Sequence, residues 1–464
     1  MKNIHIKKPF EGEGTRRIVV LTGVILLIYL FVSAYFAGHF FFNTVINGVD
    51  VSLKAHDGTD RMMKSYIEGY ELQLIERNGE TEKITGRDIG LHYNEQNSMH
   101  KIYPMQNPFK WIGSLFQDYR YYVNDLFIYE GERLENKINE SNCLNKDMTE
   151  PRNVSFRYSN GSYEMLEEIY GNKIIRYKLE EAIKTGILSG EKVLDLDEKL
   201  CYENPKYTLS SDKALKTKRL LDRYVSANIT YKFGDKKEIL DGSTINEWLS
   251  VDENLEAVIS KEAVMKYVSG LGKKYDTVGV DRNFKTSIGK KVEIKGGLYG
   301  WKINRAAETK ALLENISLGE VLEKEPIYAQ KALSRDGNEI GNTYVEINIT
   351  RQHIWFYKNG RLMAQGSVVT GNPNRGCSTV VGAYMLNYKQ KYASLIGADY
   401  EAEVTYWMPF YGNTGIHDAT WRHSFGGDIY KRNGTHGCVN APLYLAKRIF
   451  ENIEDGTPII CYEE

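Results

Sequence analysis

Three side chains with catalytic potential lie near the end of this 464-residue chain: His417, His436 and Cys438. A cysteine thiolate is a strong nucleophile, and a histidine within hydrogen-bond reach can take the thiol proton and later serve a second substrate. Cys438 precedes a predicted helix with Asn440 as its N-cap, and the helix dipole would favour the thiolate. Gly437 lets the backbone approach a substrate, so the N–H groups of Gly437 and Cys438 can point at an oxyanion. The pattern predicts nucleophilic catalysis by the cysteine, with a histidine base and backbone donors for an oxyanion.

A metal site is the chemical alternative for the same residues. Two imidazoles and a thiolate suit a catalytic zinc ion that keeps one open position. His436 and Cys438 are two residues apart, so they share a face on a strand but need not do so in a turn, and this spacing argues against zinc. We therefore expect neither a metal nor a cofactor. Cys377 has no helix start or histidine nearby, and Cys461 is expected to pack in the last strand.

The elements that must position these residues are mainly β-strands. Residues 344–370 are rich in β-branched and aromatic residues, alternate with period two and turn at Asn359-Gly360. An amphipathic helix follows Asn440, and the last strand is predicted at 458–462. The pattern predicts a mainly-β domain over residues 340–464, with a helix after the cysteine.

Two upstream stretches, 72–89 and 229–245, resemble each other. Both alternate apolar and polar residues around a tight turn, Asn78-Gly79 in the first and Gly234-Asp235 in the second, which is typical of β-hairpins. Helical periodicity surrounds each hairpin. We therefore predict a duplication, with two α+β modules at residues 43–200 and 201–330.

The N-terminal segment fixes the compartment. Residues 18–49 contain no Asp, Glu, Lys or Arg, and about 20 apolar residues cross the hydrocarbon layer of a membrane, so 18–42 is predicted to be a transmembrane helix. A cleaved signal peptide is the rival, but the long run and its bulky aromatic residues favour an uncleaved anchor. The tail at 1–17 is predicted to be cytoplasmic, and everything after the helix extracellular, because basic residues dominate the tail: Lys2, Lys7, Lys8, Arg16 and Arg17.

Composition excludes some classes. Sixty Lys and Arg against 61 Asp and Glu give a net charge of −1, so nucleic acid is not an expected partner. Five dispersed cysteines do not make a disulfide framework. Cys143 and Cys201 either form one disulfide or are two buried thiols, because the sequence does not give the distance between them.

A specific resemblance rests on the motif. His417, seventeen residues and then Thr435-His436-Gly437-Cys438-Val439-Asn440 are similar to the signature of the L,D-transpeptidases, whose catalytic domain is called YkuD. Residues 417–422 and 425–427 also resemble this domain, and 45–52 (VINGVDVS) resemble the openings of the peptidoglycan-binding domains that precede it in Gram-positive members. One departure is that 379–382 lack the proline usual in the family.

The resemblance implies a reaction. The cysteine of this family attacks the bond between an L-centred diamino acid and D-Ala in a tetrapeptide stem, D-Ala leaves, and an amine of a neighbouring stem resolves the thioester into a 3→3 cross-link. Peptidoglycan stems would be the partners, at the outer face of the cell membrane. Carbapenems would be inhibitors.

The resemblance also implies residue roles. Cys438 would be the nucleophile and His417 the base, with His436 the other histidine candidate. The backbone of Asp418 would orient the His417 ring. The remaining predicted site residues are Thr435 and His436, which line the pocket; Asn440, which caps and fixes the loop; Gly437, an oxyanion donor with Cys438; and Arg422, which meets either a substrate carboxylate or a surface acid.

Two rivals remain. A sortase is also anchored, β-rich and transpeptidating, but its T-L-x-T-C motif is missing and its histidine lies much farther from the cysteine. A catalytically inactive wall-binding protein is the rival from another class, and the presence of both His417 and Cys438 speaks against it.

Overall fold

The computed structural model describes residues 13–97, 102–397 and 401–464. The chain forms two compact units, one containing the residues up to Ser155 with Leu166–Ser211 and the other containing Phe156–Met165 with Asp212–Glu464.

The helices and strands follow in chain order. The helices are α1 (Glu13–Phe36), α2 (His56–Glu68), α3 (Gly131–Asn139), α4 (Asn142–Asn145), α5 (Arg176–Ser189), α6 (Asp212–Val225), α7 (Gly242–Ile245), α8 (Lys261–Tyr275), α9 (Arg305–Leu318), α10 (Ile429–Asn433) and α11 (Leu443–Phe450). The strands are β1 (Thr44–Ile46), β2 (Val49–Asp50), β3 (Glu71–Ile75), β4 (Thr81–Thr85), β5 (His92–Tyr93), β6 (Tyr119–Tyr121), β7 (Phe127–Ile128), β8 (Ser155–Ser159), β9 (Ser162–Leu166), β10 (Val193–Asp195), β11 (Asn228–Phe233), β12 (Lys236–Leu240), β13 (Leu249–Val251), β14 (Ala257–Ile259), β15 (Arg282–Lys285), β16 (Lys291–Ile294), β17 (Lys302–Ile303), β18 (Val321–Lys324), β19 (Tyr328–Gln330), β20 (Tyr344–Asn348), β21 (His353–Lys358), β22 (Arg361–Ser367), β23 (Gly382–Met385), β24 (Gln390–Ile396), β25 (Glu401–Tyr411), β26 (Thr414–Asp418), β27 (Val439–Ala441) and β28 (Pro458–Tyr462).

The first helix, α1, is long and apolar enough to cross a membrane. Its most apolar stretch has a mean hydropathy of 2.5 and is only 6% buried. The helix ends at Phe36, six residues before the end of the predicted span at 42. Phe40 and Phe41 are instead buried in the folded part of the first unit, because the chain leaves the helix and turns into that core.

The first unit contains a three-stranded sheet with the order β10-β3-β4. The hairpin β3–β4 turns through Gly79, which takes the positive φ that the Asn-Gly pattern predicts. Strand β10 lies parallel to β3, and α5, which leads into it, ends at Gly190 in the left-handed conformation. Cys143 and Cys201 are free thiols in this unit's core, so the structure contains the buried thiols and not the disulfide.

The second unit contains a sheet of the same design, β12-β11-β18. The hairpin β11–β12 turns at Gly234, and β18 lies parallel to β11 after α9, which ends at the left-handed Gly319. The two sheets therefore share one topology, which supports the duplication inferred from the sequence.

The rest of the second unit is mainly β. A five-stranded sheet has the order β22-β21-β20-β28-β23, and a four-stranded sheet has the order β24-β25-β26-β27. Alternating apolar residues of both sheets and of α11 fill one core between them. Buried Glu346 of β20 accepts hydrogen bonds from Ser287 and Tyr462, which joins the loop between β15 and β16 to this part of the unit.

Candidate active site

Strands β26 and β27 bring His417 and Cys438 to the same place. They pair in parallel with His417 opposite Asn440 and Ile416 opposite Val439. Side chains alternate across a strand, so Ile416 and Val439 enter the core while His417 and Asn440 share the other face. Cys438 lies one residue before β27, opposite Gly415 in the continued register. Its side chain therefore emerges on the face that carries His417, diagonally across from it.

His417 is buried and its ring orientation is fixed. Its Nδ1 lies 2.9 Å from the backbone oxygen of Asp418, and because a carbonyl only accepts, Nδ1 carries the proton and Nε2 is left as an acceptor. The rings of Trp407 and Trp421 flank the imidazole, with centroids at 5.8 and 6.0 Å. Burial lowers the pKa of His417, against the opposing effect of the Asp418 carbonyl. The ring is therefore neutral near pH 7.

Cys438 is a half-buried thiol in an apolar setting. It packs against a small cluster formed by Ala393, Val404 and Trp407, and its S–H donates to the backbone oxygen of Asn413 at 3.5 Å. Burial raises the pKa of Cys438 to about 11, partly offset by a hydrogen bond from the Gly415 N–H. The resting thiol is therefore protonated.

The helix dipole does not act on this thiol as predicted. β27 stands between Cys438 and α11, whose N-cap is Pro442. Asn440 is therefore a strand residue and not a helix cap. The prediction of a thiolate at a helix N-terminus is wrong, because residues 439–441 pair with β26 and with Val369 in place of starting the helix.

The loop before Cys438 is held by two threonine hydroxyls. Thr435 Oγ1 accepts from the Gly437 N–H at 3.0 Å and donates to the Cys438 oxygen at 2.6 Å. Thr379 Oγ1 donates to the Gly437 oxygen at 2.7 Å and accepts from the Gly371 N–H at 2.9 Å. Thr435 is thus occupied within the loop, which does not fit the predicted contact with substrate.

These bonds also change the predicted oxyanion site. The Gly437 N–H already has Thr435 as its acceptor, so it is not free for a substrate oxygen. Gly437 has a φ of +124°, which favours glycine and sets the course of the backbone into Cys438. The Cys438 N–H has no acceptor within the described residues, and so it is the member of the predicted pair that remains available.

Asp418 and Asn440 have other surroundings than expected. The Asp418 carboxylate is buried on the opposite face of β26 and accepts from the backbone N–H groups of Thr405 and Tyr406 at 3.2 and 2.7 Å. It is thus unsuited to the predicted substrate contact, although its carbonyl orients His417. Asn440 is 3% exposed, and its Oδ1, on the His417 face, lacks a hydrogen-bond partner among the described atoms.

Arg422 lies on the loop that follows β26. Its Nη1 donates to the Asn433 oxygen at 2.7 Å, and its Nε is buried without a partner in the described part of the chain. Burial lowers the pKa of its guanidinium. None of the described acids pairs with Arg422, which removes the surface salt bridge from the two alternatives. The side chain lines a cavity of about 520 Å³, whose other lining residues are Trp421, His423, Ser424, Ile429, Arg432 and Asn433.

The second histidine, His436, is exposed, whereas His417 is buried beside the tryptophans. Within the described residues, no three His, Cys, Asp or Glu side chains converge as metal ligands, so His417, His436 and Cys438 do not form the rival zinc site.

Sequence reasoning missed Trp407, Asn413 and Thr379. Trp407 and Asn413 come with the hairpin β25–β26, which turns at Gly412-Asn413, a turn signal that would have located it. Thr379 stands in the stretch that lacks the expected proline, and no local pattern points to its bond with Gly437.

Two protein-family profiles match parts of this chain. The sequence profile of the L,D-transpeptidase catalytic domain, YkuD, matches residues 342–461. A family described as "Putative peptidoglycan binding domain" matches residues 82–195 and 208–322. No curated protein matches the chain.

Several solved structures are similar. A mutant L,D-transpeptidase of Enterococcus faecium is 31% identical, with 54% of this chain and 100% of that chain covered and a TM-score of 0.43. The Ldtfm–avibactam carbamoyl enzyme is 32% identical, with 54% and 98% covered and a TM-score of 0.44. The E. faecium catalytic domain acylated by ertapenem is 36% identical, with 26% and 97% covered and a TM-score of 0.25. The sequence identity over the whole length of these relatives, together with the two profiles, carries the assignment.

Proposed function

Because this chain belongs to the L,D-transpeptidase family, we propose that it cross-links peptidoglycan by acyl transfer through Cys438. The sulfur attacks the carbonyl carbon of the bond between the L-centred diamino acid and D-Ala in a tetrapeptide stem. The C–N bond breaks, D-Ala leaves with a proton, and a thioester remains. The side-chain amine of a second stem then attacks the thioester and gives a 3→3 cross-link, with the thiol restored.

The observation that carries this proposal is the pairing of β26 with β27, which sets His417 and Cys438 on one face. Both groups are neutral at rest, so His417 acts as a general base: Nε2 takes the proton from Sγ as the S–C bond forms. The same proton passes to the departing D-Ala nitrogen. His417 then accepts a proton from the acceptor amine. The hydrogen bond from Nδ1 to Asp418 stabilises the imidazolium formed in each step.

Three further groups have proposed roles around the reacting carbonyl. The Cys438 N–H donates to the oxyanion, because it has no acceptor in the described structure. Asn440 Oδ1 accepts from an N–H group of the substrate, since it is buried without a partner among the described atoms. The cavity at Arg422 takes a stem-peptide carboxylate, because two guanidiniums, Arg422 and Arg432, and no acidic side chain line it. His436 lies at the exposed rim of the site.

The upstream parts of the chain support a reaction at the cell wall. α1 serves as a single-pass anchor with its basic N-terminal side in the cytoplasm, which leaves the catalytic domain extracellular. The two modules bind peptidoglycan, and a full-length Cys438→Ala variant should therefore sediment with purified sacculi. A variant that stays in solution would make the modules spacers.

The decisive experiment compares the wild type with Cys438→Ala by intact mass after exposure to a carbapenem, and then supplies a disaccharide tetrapeptide. We expect one adduct and a cross-linked dimer from the wild type, and neither from the variant. The ertapenem-acylated E. faecium domain supports this expectation. An unmodified wild type that makes no dimer would leave a wall-binding protein without activity.

The assignment of the base is tested by a matched pair of histidine variants. His417→Gln should lower kcat/KM by about 10²–10⁴-fold, the range typical of a lost general base, while His436→Gln should have a much smaller effect. Burial lowers the pKa of His417 from the usual histidine value of 6.5, and only the neutral ring accepts a proton. The wild-type rate should therefore remain high as the pH falls through 6.5 and should drop only at a more acidic pH. A larger loss in His436→Gln would reverse the assignment.

A further inference from the structure

A short 3₁₀ helix in the first unit, Pro108–Leu115, turns a line of large apolar side chains outward. A 3₁₀ helix has three residues per turn, so Phe109, Ile112 and Leu115 lie one above another along one side. They are 57, 46 and 49% exposed, and Phe116, which follows them, is 84% exposed. We call these four residues the apolar stripe. So much contiguous apolar surface marks an interaction site in a soluble protein.

The apolar stripe lies beside the predicted membrane anchor. Tyr29 of α1 donates its hydroxyl hydrogen bond to the Phe109 oxygen at 2.7 Å, and its ring lies 6.4 Å from that of Phe109. Trp111 contacts both Tyr29 and Phe36, with ring centroids at 6.2 Å in each case. Tyr29 stands seven residues before the end of α1, which is about 10 Å along the helix axis. The segment therefore reaches back along the part of α1 that would lie in the bilayer.

Asn107 and Ser114 of the segment have hydrogen-bond partners that suit a lipid boundary, whereas the buried Nε1 of Trp111 lacks one among the described atoms. Asn107 caps the helix by accepting from the Phe109 N–H at 3.0 Å, and Ser114 is tied at both ends, donating to the Trp111 oxygen and accepting from Asn43. Backbone groups satisfied in this way tolerate an apolar medium. The one charged residue of the helix, Lys110, is exposed and has a long stem that lets its ammonium reach phosphate headgroups.

We propose that residues 105–116 are embedded in the outer interfacial layer of the membrane that α1 crosses, with the apolar stripe against the acyl chains. The partner is a lipid bilayer and not a second protein, because the apolar stripe continues the lipid-facing surface of α1 through the Tyr29 contact. This second attachment holds the first unit against the bilayer, whereas an anchor alone would leave the unit free to change its orientation relative to the membrane. The inference rests on the proposed membrane anchor.

The test uses the full chain in vesicles of phosphatidylcholine and phosphatidylglycerol that carry a photoreactive group on the acyl chain. After illumination, mass spectrometry locates the lipid adducts. We expect adducts in 18–36 and in 105–116. Adducts in 18–36 alone would overturn the embedded segment and leave the anchor intact, and adducts in neither would overturn both. Cross-links between two chains through 105–116 that persist as lipid is added would assign the apolar stripe to a second copy, and so overturn the proposal.

A variant sharpens this test. Replacing the four residues of the apolar stripe by serine should lower the adduct yield of 105–116 by about tenfold or more, because each loses its apolar contact with lipid. The yield of 18–36 should not change. A matched control replaces four exposed apolar residues of the second unit by serine, Ile239, Val258, Leu318 and Val321, and should alter neither yield. Protection of β3 and β11 from hydrogen exchange verifies that both units fold in the two variants. An unchanged yield in the stripe variant contradicts the proposal.

Discussion

The two modules share one backbone plan but differ in what fills its centre. In the first, Leu74 of β3 stands opposite Leu194 of β10, and Leu179 of α5 packs in the same core. In the second, Tyr231 of β11 stands opposite Lys324 of β18. Glu308 of α9 corresponds to Leu179, since each stands eleven residues before the glycine that ends its helix. Three leucines in one copy thus correspond to a tyrosine, a glutamate and a lysine in the other.

In the second module, the tyrosine and the lysine both donate hydrogen bonds to the buried glutamate. Glu308 is fully buried, and its carboxylate accepts from the Tyr231 hydroxyl at 2.7 Å, from Lys324 Nζ at 2.8 Å and from the Ile327 N–H at 2.7 Å. Burial raises the pKa of Tyr231, so its hydroxyl remains a donor. The comparison teaches that one topology accepts an apolar or an ionic centre, provided that every charge has its partners. Substitutions in the two centres should therefore destabilise the modules for different reasons, a cavity in the first module and an unpaired buried charge in the second.

The largest effect should come from removing one charge of the buried pair. Lys324→Met leaves the Glu308 carboxylate buried without its cation and should destabilise the second module by about 3–5 kcal/mol. Hydrogen exchange of peptides from β11 and β3 follows the two modules in one sample. Lys237→Met is the matched control, because it removes only an exposed partner of Glu323. Equal losses in the two variants would contradict the distinction.

Truncation at the corresponding apolar position should cost somewhat less. Leu179→Ala leaves a cavity in the first module and should destabilise it by about 2–5 kcal/mol, with no dependence on salt. Added salt should alter the Lys324→Met result more than this one. The same exchange measurement in low and high salt separates the two, and matching salt dependence would show that the centres are not of different kinds.

The helix ends offer a smaller contrast. Alanine is strained at the left-handed positions of Gly190 and Gly319, by about 1–2 kcal/mol at each. A methyl group at 190 would also lie 2.0 Å from the Asn47 oxygen, against 2.7 Å from the Arg223 oxygen at 319. Gly190→Ala should therefore destabilise its module more than Gly319→Ala does, as measured by urea unfolding. The reverse order would mean that the two ends relax differently.

The smallest effect should follow from making the second centre like the first. Changing Tyr231, Glu308 and Lys324 together to leucine removes the buried charges, although it leaves the Ile327 N–H without its acceptor. Removing the buried charges stabilises the module and losing this hydrogen bond destabilises it, so the free energy of unfolding should change by less than about 2 kcal/mol. A loss as large as that in Lys324→Met would show that the ionic centre is needed for the fold.

The sequence by itself determined the features that depend on neighbouring residues. The hairpins are predicted from period-two alternation around turns at Asn78-Gly79 and Gly234, and α1 is predicted from the length of its apolar run. The last strand lies at the predicted residues, 458–462. The motif from His417 to Asn440 identified the family, because its residue types and spacing can be read from the sequence without knowledge of the fold. Each of these signals is local.

Only the tertiary structure determined the hydrogen-bond partners and the burial of the site residues. Residues 439–441 carry capping and apolar signals that suit a helix start, yet they form β27 because β26 and Val369 supply ladder partners on both sides. The same packing gives Asp418 two backbone donors from β25 and occupies the Gly437 N–H and oxygen with two threonines. Hydrogen-bond partners and desolvation come from strands distant in the sequence, and so they set the protonation of Cys438 and His417 only once the sheet has formed.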